Sequence, residues 1–119
     1  MDDLPAQYLR GIELFNAGRF FESHEAFEEI WMKSEGAERE LLHALIQSAA
    51  ALHHLQRGNL KGASSVYGRA RAKLAALPGT ILLLDARDFG EQIERYFDSA
   101  LNRRNPTLSP PTIRLQDEK

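Results

Sequence analysis

Gly18 and Gly58 stand 40 residues apart, and each falls between two runs of helically spaced apolar residues. Before Gly18, Tyr8, Ile12 and Phe15 recur at intervals of three or four, and after it come Phe20, Phe27, Ile30 and Trp31. A glycine just past a helical run reads as a stop, because glycine enters the left-handed region at no steric cost. Setting Gly18 on Gly58 pairs Phe20 with Leu60, Ser23 with Ala63, Phe27 with Tyr67 and Ile30 with Ala70. The small residue five places after each glycine lets two helices approach closely, and the aromatic nine places after it fills the space between them. The chain thus reads as two similar helix–turn–helix units.

The spacing predicts a first helix over about Pro5 to Ala17, with Asp3 at its start, and a second over about Phe20 to Lys33. A third, over about Ala37 to Arg57, carries alanine and leucine on nearly every side and reads as the central helix. Asn59 suits the N-cap of a fourth, over about Leu60 to Ala76. Leu77-Pro78-Gly79 breaks it, and Thr80 to Ala86 reads either as a short extended piece or as part of a turn. Asp88 with Glu91 resembles a capping pair for a fifth helix, over about Asp88 to Arg103, which turns Phe89, Ile93, Tyr96, Phe97 and Ala100 inward. Arg103 and Arg104 suit the negative end of its dipole. Prolines 106, 110 and 111 forbid a helix beyond that. The expected fold is all-α: a single compact bundle of about five helices, two antiparallel units plus a closing C-terminal helix. Residues 1–104 form the domain, and residues 105–119 an extended or disordered tail.

Composition narrows the function. A chain of 119 residues, 43 % hydrophobic, can bury a core as one domain. A formal net charge of -2 argues against a dedicated nucleic-acid binder. Without cysteine there is no disulfide, thiolate site or cysteine nucleophile. The N-terminus lacks the apolar stretch of a signal peptide, and no apolar run is longer than that of Ile81 to Leu84. The expectation is a soluble, cytoplasmic protein with no membrane segment and no cofactor.

One polar constellation stands out. His24 and Glu28 are four apart, so they share a helix face with Trp31. On the third helix, His43, Gln47, Ala50 and His54 form one narrow stripe. Facing each other, the two would enclose His24, Glu28, Gln47 and further histidines. Such a set could bind a divalent metal or act as an acid–base pair. A buried histidine bonded to a glutamate equally ties two helices together with no chemistry at all. His24-Glu25-Ala26-Phe27-Glu28 is not a zincin motif, which needs a second histidine where Glu28 stands, and it reverses the Glu-x-x-His of di-iron bundles. In the second unit these positions hold Ser64 and Gly68, so the polar work belongs to the first. His53 reads as a satisfied core or interface residue, and Lys61, Arg69, Arg71 and Lys73 as a solvated basic face.

The paired hairpins resemble tetratricopeptide units, although the usual period is 34 residues and two units are fewer than solenoids need. The stretch from Leu14 to Glu25, continuing to Glu28 and Trp31, resembles domain-of-unknown-function family 309. So does Leu45 to His54, followed by Gly58-Asn59 and Gly62-Ala63. The resemblance spans roughly Tyr8 to Leu101. It implies a small all-helical prokaryotic protein with no established activity, whose motif positions here are His24, Glu25, Glu28, Trp31, Gln47, His54 and Asn59. The combined expectation is an uncharacterised helical binding or scaffold module with a polar His–Glu cluster in its core, binding through those seven residues as a homodimer or to a protein partner. The alternative is a small metal-dependent or acid–base enzyme with His24 and Glu28 as candidate catalytic residues.

Overall fold

The structure, a computed structural model, describes residues 4–102 and 109–116. Both glycine stops form. Gly18 has φ +80° and Gly58 φ +77°. In each case the next residue's N–H reaches back to the helix, Arg19 to the Leu14 carbonyl and Asn59 to the His54 carbonyl, both at 2.9 Å. The glycine N–H groups bond Phe15 and Leu55 at 3.0 Å, which completes the same C-terminal motif in both units. The helices are α1 (Ala6–Asn16), α2 (Phe20–Trp31), α3 (Gly36–Gln56), α4 (Leu60–Ala76) and α5 (Ala86–Asn102). Among the described residues the fold is all-α apart from one two-stranded ribbon.

The two hairpins close in the way their spacing requires. Ser23 is fully buried and donates to the Gly11 carbonyl at 2.8 Å. A Cβ on Gly11 would lie 2.5 Å from the Phe27 ring, so α1 meets α2 at a contact only glycine fits. In the second unit Ala51 and Ala63, both fully buried, take those places. Tyr67, the counterpart of Phe27, instead stacks on Phe97 of α5 at 4.7 Å between ring centroids. Helix α3 packs between α2 and α4, α1 packs on α2, and α5 on α4. The Phe15 and Phe89 rings meet at 5.8 Å and join the first helix to the last.

Thr80–Ile81 (β1) and Leu84–Asp85 (β2) pair antiparallel through a turn at Leu82 and Leu83. Both leucines have positive φ, 51° and 62°, which costs about 1–2 kcal/mol each for a non-glycine residue. Leu82 packs on the core, and its carbonyl accepts from the Tyr8 hydroxyl at 3.0 Å. The Asp85 carboxylate accepts the Asp88 N–H at 3.1 Å. Helix α5 therefore starts at Ala86, capped by Asp85 rather than by an Asp88–Glu91 pair. The expected roles of Asp3, Arg103 and Arg104 fall outside the described residues. No helix among those described is long and apolar enough to cross a membrane.

Candidate binding face

Helix α3 buries Leu41, Leu45, Ser48 and Leu52 on one side. That leaves His43, Gln47, Ala50 and His54, half-buried, along the opposite side between α2 and α4. Helix α2 turns Phe20, Ser23 and Phe27 inward. His24 and Trp31 then fall half-buried at its α3 edge, with Phe21, Glu25, Glu28 and Glu29 exposed beyond them. The polar stripe of α3 and the motif face of α2 thus share one outer surface rather than a core.

His24 and Glu28 do not pair. No hydrogen bond or ion pair joins them, and Glu28 stands exposed. The two side chains are not linked as a hydrogen-bonded couple in this structure. Nor do three His, Cys, Asp or Glu side chains converge as a metal cluster among the described residues. What His24 does have is a buried Nδ1 with no hydrogen-bond partner, and Gln47 has a buried Oε1 in the same state. An unsatisfied buried polar atom costs about 1–3 kcal/mol, so these two are the polar atoms on this face whose partners the chain does not itself supply.

The remaining motif residues have local work. The Trp31 ring lies 5.3 Å from the His43 ring, and the Arg39 guanidinium carbon sits 4.2 Å from its centroid. Arg39 also donates to the Trp31 carbonyl at 2.9 Å, so the indole is fixed where α2 turns into α3. Asn59 caps α4 by accepting the Gly62 N–H at 2.9 Å, which leaves its Nδ2 to face His54 Nδ1 at 3.1 Å. His54 Nδ1 is then an acceptor, and its proton sits on Nε2. A Cβ on Gly62 would lie 2.6 Å from Asn59 Nδ2, which is why glycine stands there. Asn59→Ala should cost about 1 kcal/mol of stability, read from thermal unfolding.

Sequence reasoning missed Phe21. It is 52 % exposed and lies 6.2 Å from the His24 ring and 5.5 Å from the His53 ring. The signal for it was a phenylalanine on the charged side of an amphipathic helix. Met32, 66 % exposed, follows the end of α2. The charges are segregated too. Glu25, Glu28 and Glu29 on α2 and Lys61 and Arg69 on α4 are all exposed, and among the described residues none makes an ion pair. Lys73 bonds Glu40 at 2.8 Å across α3 and α4. That bond and the Lys73 charge hold the Glu40 carboxyl below its ordinary value.

Burial holds the His43 imidazole below its usual 6.5, and the Lys73 ammonium adds to the effect while Glu40 opposes it. A histidine kept neutral in the fold is protonated first in the unfolded chain. Its contribution is therefore present above about pH 6.5 and is lost as pH falls from there towards the lower folded value. Urea midpoints measured between about pH 7.5 and about pH 5 should show this decline in the native chain and a shallower one in His43→Gln.

The sequence pattern of the Domain of unknown function DUF309 matches residues 8–66, which runs from α1 into α4. The crystal structure of a conserved hypothetical protein from Thermus thermophilus is similar, with a TM-score of 0.69 and 33 % identity. The similarity covers 81 % of this chain and 99 % of that one. The chain belongs to the DUF309 family. No curated protein matches it. The matched stretch holds all seven motif residues, and the function of the DUF309 protein is uncharacterised.

Proposed function

We propose that this DUF309 protein is a cytoplasmic, prokaryotic binding module whose partner-recognising surface is the outer face of α2, α3 and α4, and that the partner is a second copy of the chain. The observation that carries this reading is the exposed ring of Phe21, on a face where the chain also leaves His24 Nδ1 and Gln47 Oε1 without partners of its own. Charge selects the partner. The face is acidic along α2 and basic along α4, with histidine and glutamine between them on α3. A two-fold axis running along α3 lays α2 of one copy over α4 of the other, glutamate against lysine and arginine. An axis across α3 would set glutamates against glutamates and is disfavoured. On this reading His24, Glu25, Glu28, Trp31 and Gln47 face the partner, and His54 and Asn59 shape the turn beside it. Nucleic acid is not a partner of such a face, since its basic strip is one edge of a neutral whole.

Light scattering tests this. The chain should run at twice its 13.4 kDa mass at tens of micromolar. Phe21→Glu, an exposed substitution, should run at the single-chain mass with its melting temperature nearly unchanged. A native chain that stays monomeric at that concentration contradicts the proposal.

A further inference from the structure

Residues 109–116 lie extended across the bundle, and the way they are held points to a second site. In an extended strand the N–H and C=O of one residue point to one edge, and those of the next residue to the other. Ile113 donates its N–H to Asn16 Oδ1 at 2.7 Å and accepts from Asn16 Nδ2 at 2.9 Å. Thr112 donates to Gln92 Oε1 and accepts from Gln92 Nε2, both at 2.9 Å. Two carboxamides therefore grip consecutive residues from opposite edges, as flanking strands would. The Gln116 N–H adds a bond of 2.7 Å to the Leu83 carbonyl, which the left-handed turn presents. The side chains alternate as the pleat requires. Pro111 and Ile113 are buried, while Thr112 and Arg114 are exposed.

We propose that this groove, between the end of α1, the β1–β2 turn and α5, is a docking site for an extended polypeptide carrying a Pro-x-Ile pattern. The chain's own segment is its resident competitor. The carboxamides touch main chain only, so they select an extended backbone of any sequence; the two buried positions supply the preference for Pro and Ile. Among the described residues no ion pair secures the segment; its polar ties are neutral hydrogen bonds, part-buried at Asn16 and exposed at Gln92, while Pro111 and Ile113 seat against the core. A tethered segment acts at an effective concentration in the millimolar range, so a free peptide enters once the segment is displaced. The site is separate from the α2–α3–α4 face and does not depend on it.

The probe is a fluorescein-labelled peptide with the sequence of residues 109–116, read by fluorescence anisotropy. Full chains carrying Ile113→Glu, which expels the buried side chain, or Thr112→Pro, which replaces the N–H that Gln92 accepts with a ring carbon at an exposed position, should bind it saturably. The native chain should bind at least about tenfold more weakly, because its own segment competes. Adding Asn16→Ala to either variant should weaken binding at least about tenfold, as should glutamate at the isoleucine of the peptide. Circular dichroism reports whether each variant is folded. The proposal is overturned by folded variants that do not bind, by a native chain that binds equally well, or by binding indifferent to Asn16. It is overturned as well if both variants unfold, since the fold would then depend on the segment.

Discussion

Phe27→Ala is expected to cost about 3–5 kcal/mol of folding stability, because it empties a fully buried ring position. The ring sits against the Gly11 backbone and 6.2 Å from the Tyr8 ring. Gly11→Ala should also destabilise the native chain. Its Cβ would meet the Phe27 ring at 2.5 Å, an overpacking worth about 1–3 kcal/mol against about 1 kcal/mol gained in helix propensity. With Phe27 already removed, the added methyl has room, and only the propensity gain is left. Gly11→Ala should therefore change sign in the Phe27→Ala background and stabilise by up to about 1 kcal/mol. Urea unfolding of the four chains measures this, and additive effects would mean that the α1–α2 contact is not the one described.

The second large effect concerns association. Glu25→Lys with Glu28→Lys makes α2 basic, and Lys61→Glu with Arg69→Glu makes α4 acidic. All four positions are exposed and form no ion pair among the described residues, so each double variant should melt within a few degrees of the native protein. Each exposed attraction is worth about 0.2–1 kcal/mol, and reversal turns it into repulsion. The two-fold repeats every contact. The dissociation constant of either variant should rise at least about tenfold, which corresponds to about 1.4 kcal/mol. The loss should be smaller in about 1 M salt, where the Debye length is only about 3 Å.

Much of the fold was legible because it rests on local chemistry. Gly18 and Gly58 mark their own stops, and Asn59 its own cap, since each acts on backbone within a few residues. The turn at Leu82 and Leu83 was not legible. Two leucines at positive φ contradict local preference and are held by Tyr8 from a helix 74 residues away. The Asp85 cap was hidden for the same reason, because it depends on where the ribbon ends. Residues of the candidate face could be placed on their helices from spacing alone. Which side of α3 would be covered could not be read that way, since its Ala/Leu content suits burial all round. The structure puts its His43–His54 stripe outside, and with it His24. The apparent His24–Glu28 couple was a consequence of shared helical spacing, which brings two side chains to one face without making them touch.

Association of two copies through the α2–α3–α4 face, with α2 laid over α4, is tested most directly by mixing the two charge-reversed chains. When like chains pair, each variant sets α2 and α4 of the same sign against each other. When unlike chains pair, the basic α2 of one meets the acidic α4 of the other, and the native acidic α2 meets the native basic α4. Both contacts then regain opposite charges. Sedimentation velocity should show each variant alone as a monomer and an equimolar mixture as a dimer of the two. A mixture that sediments no faster than its separate components would contradict the account.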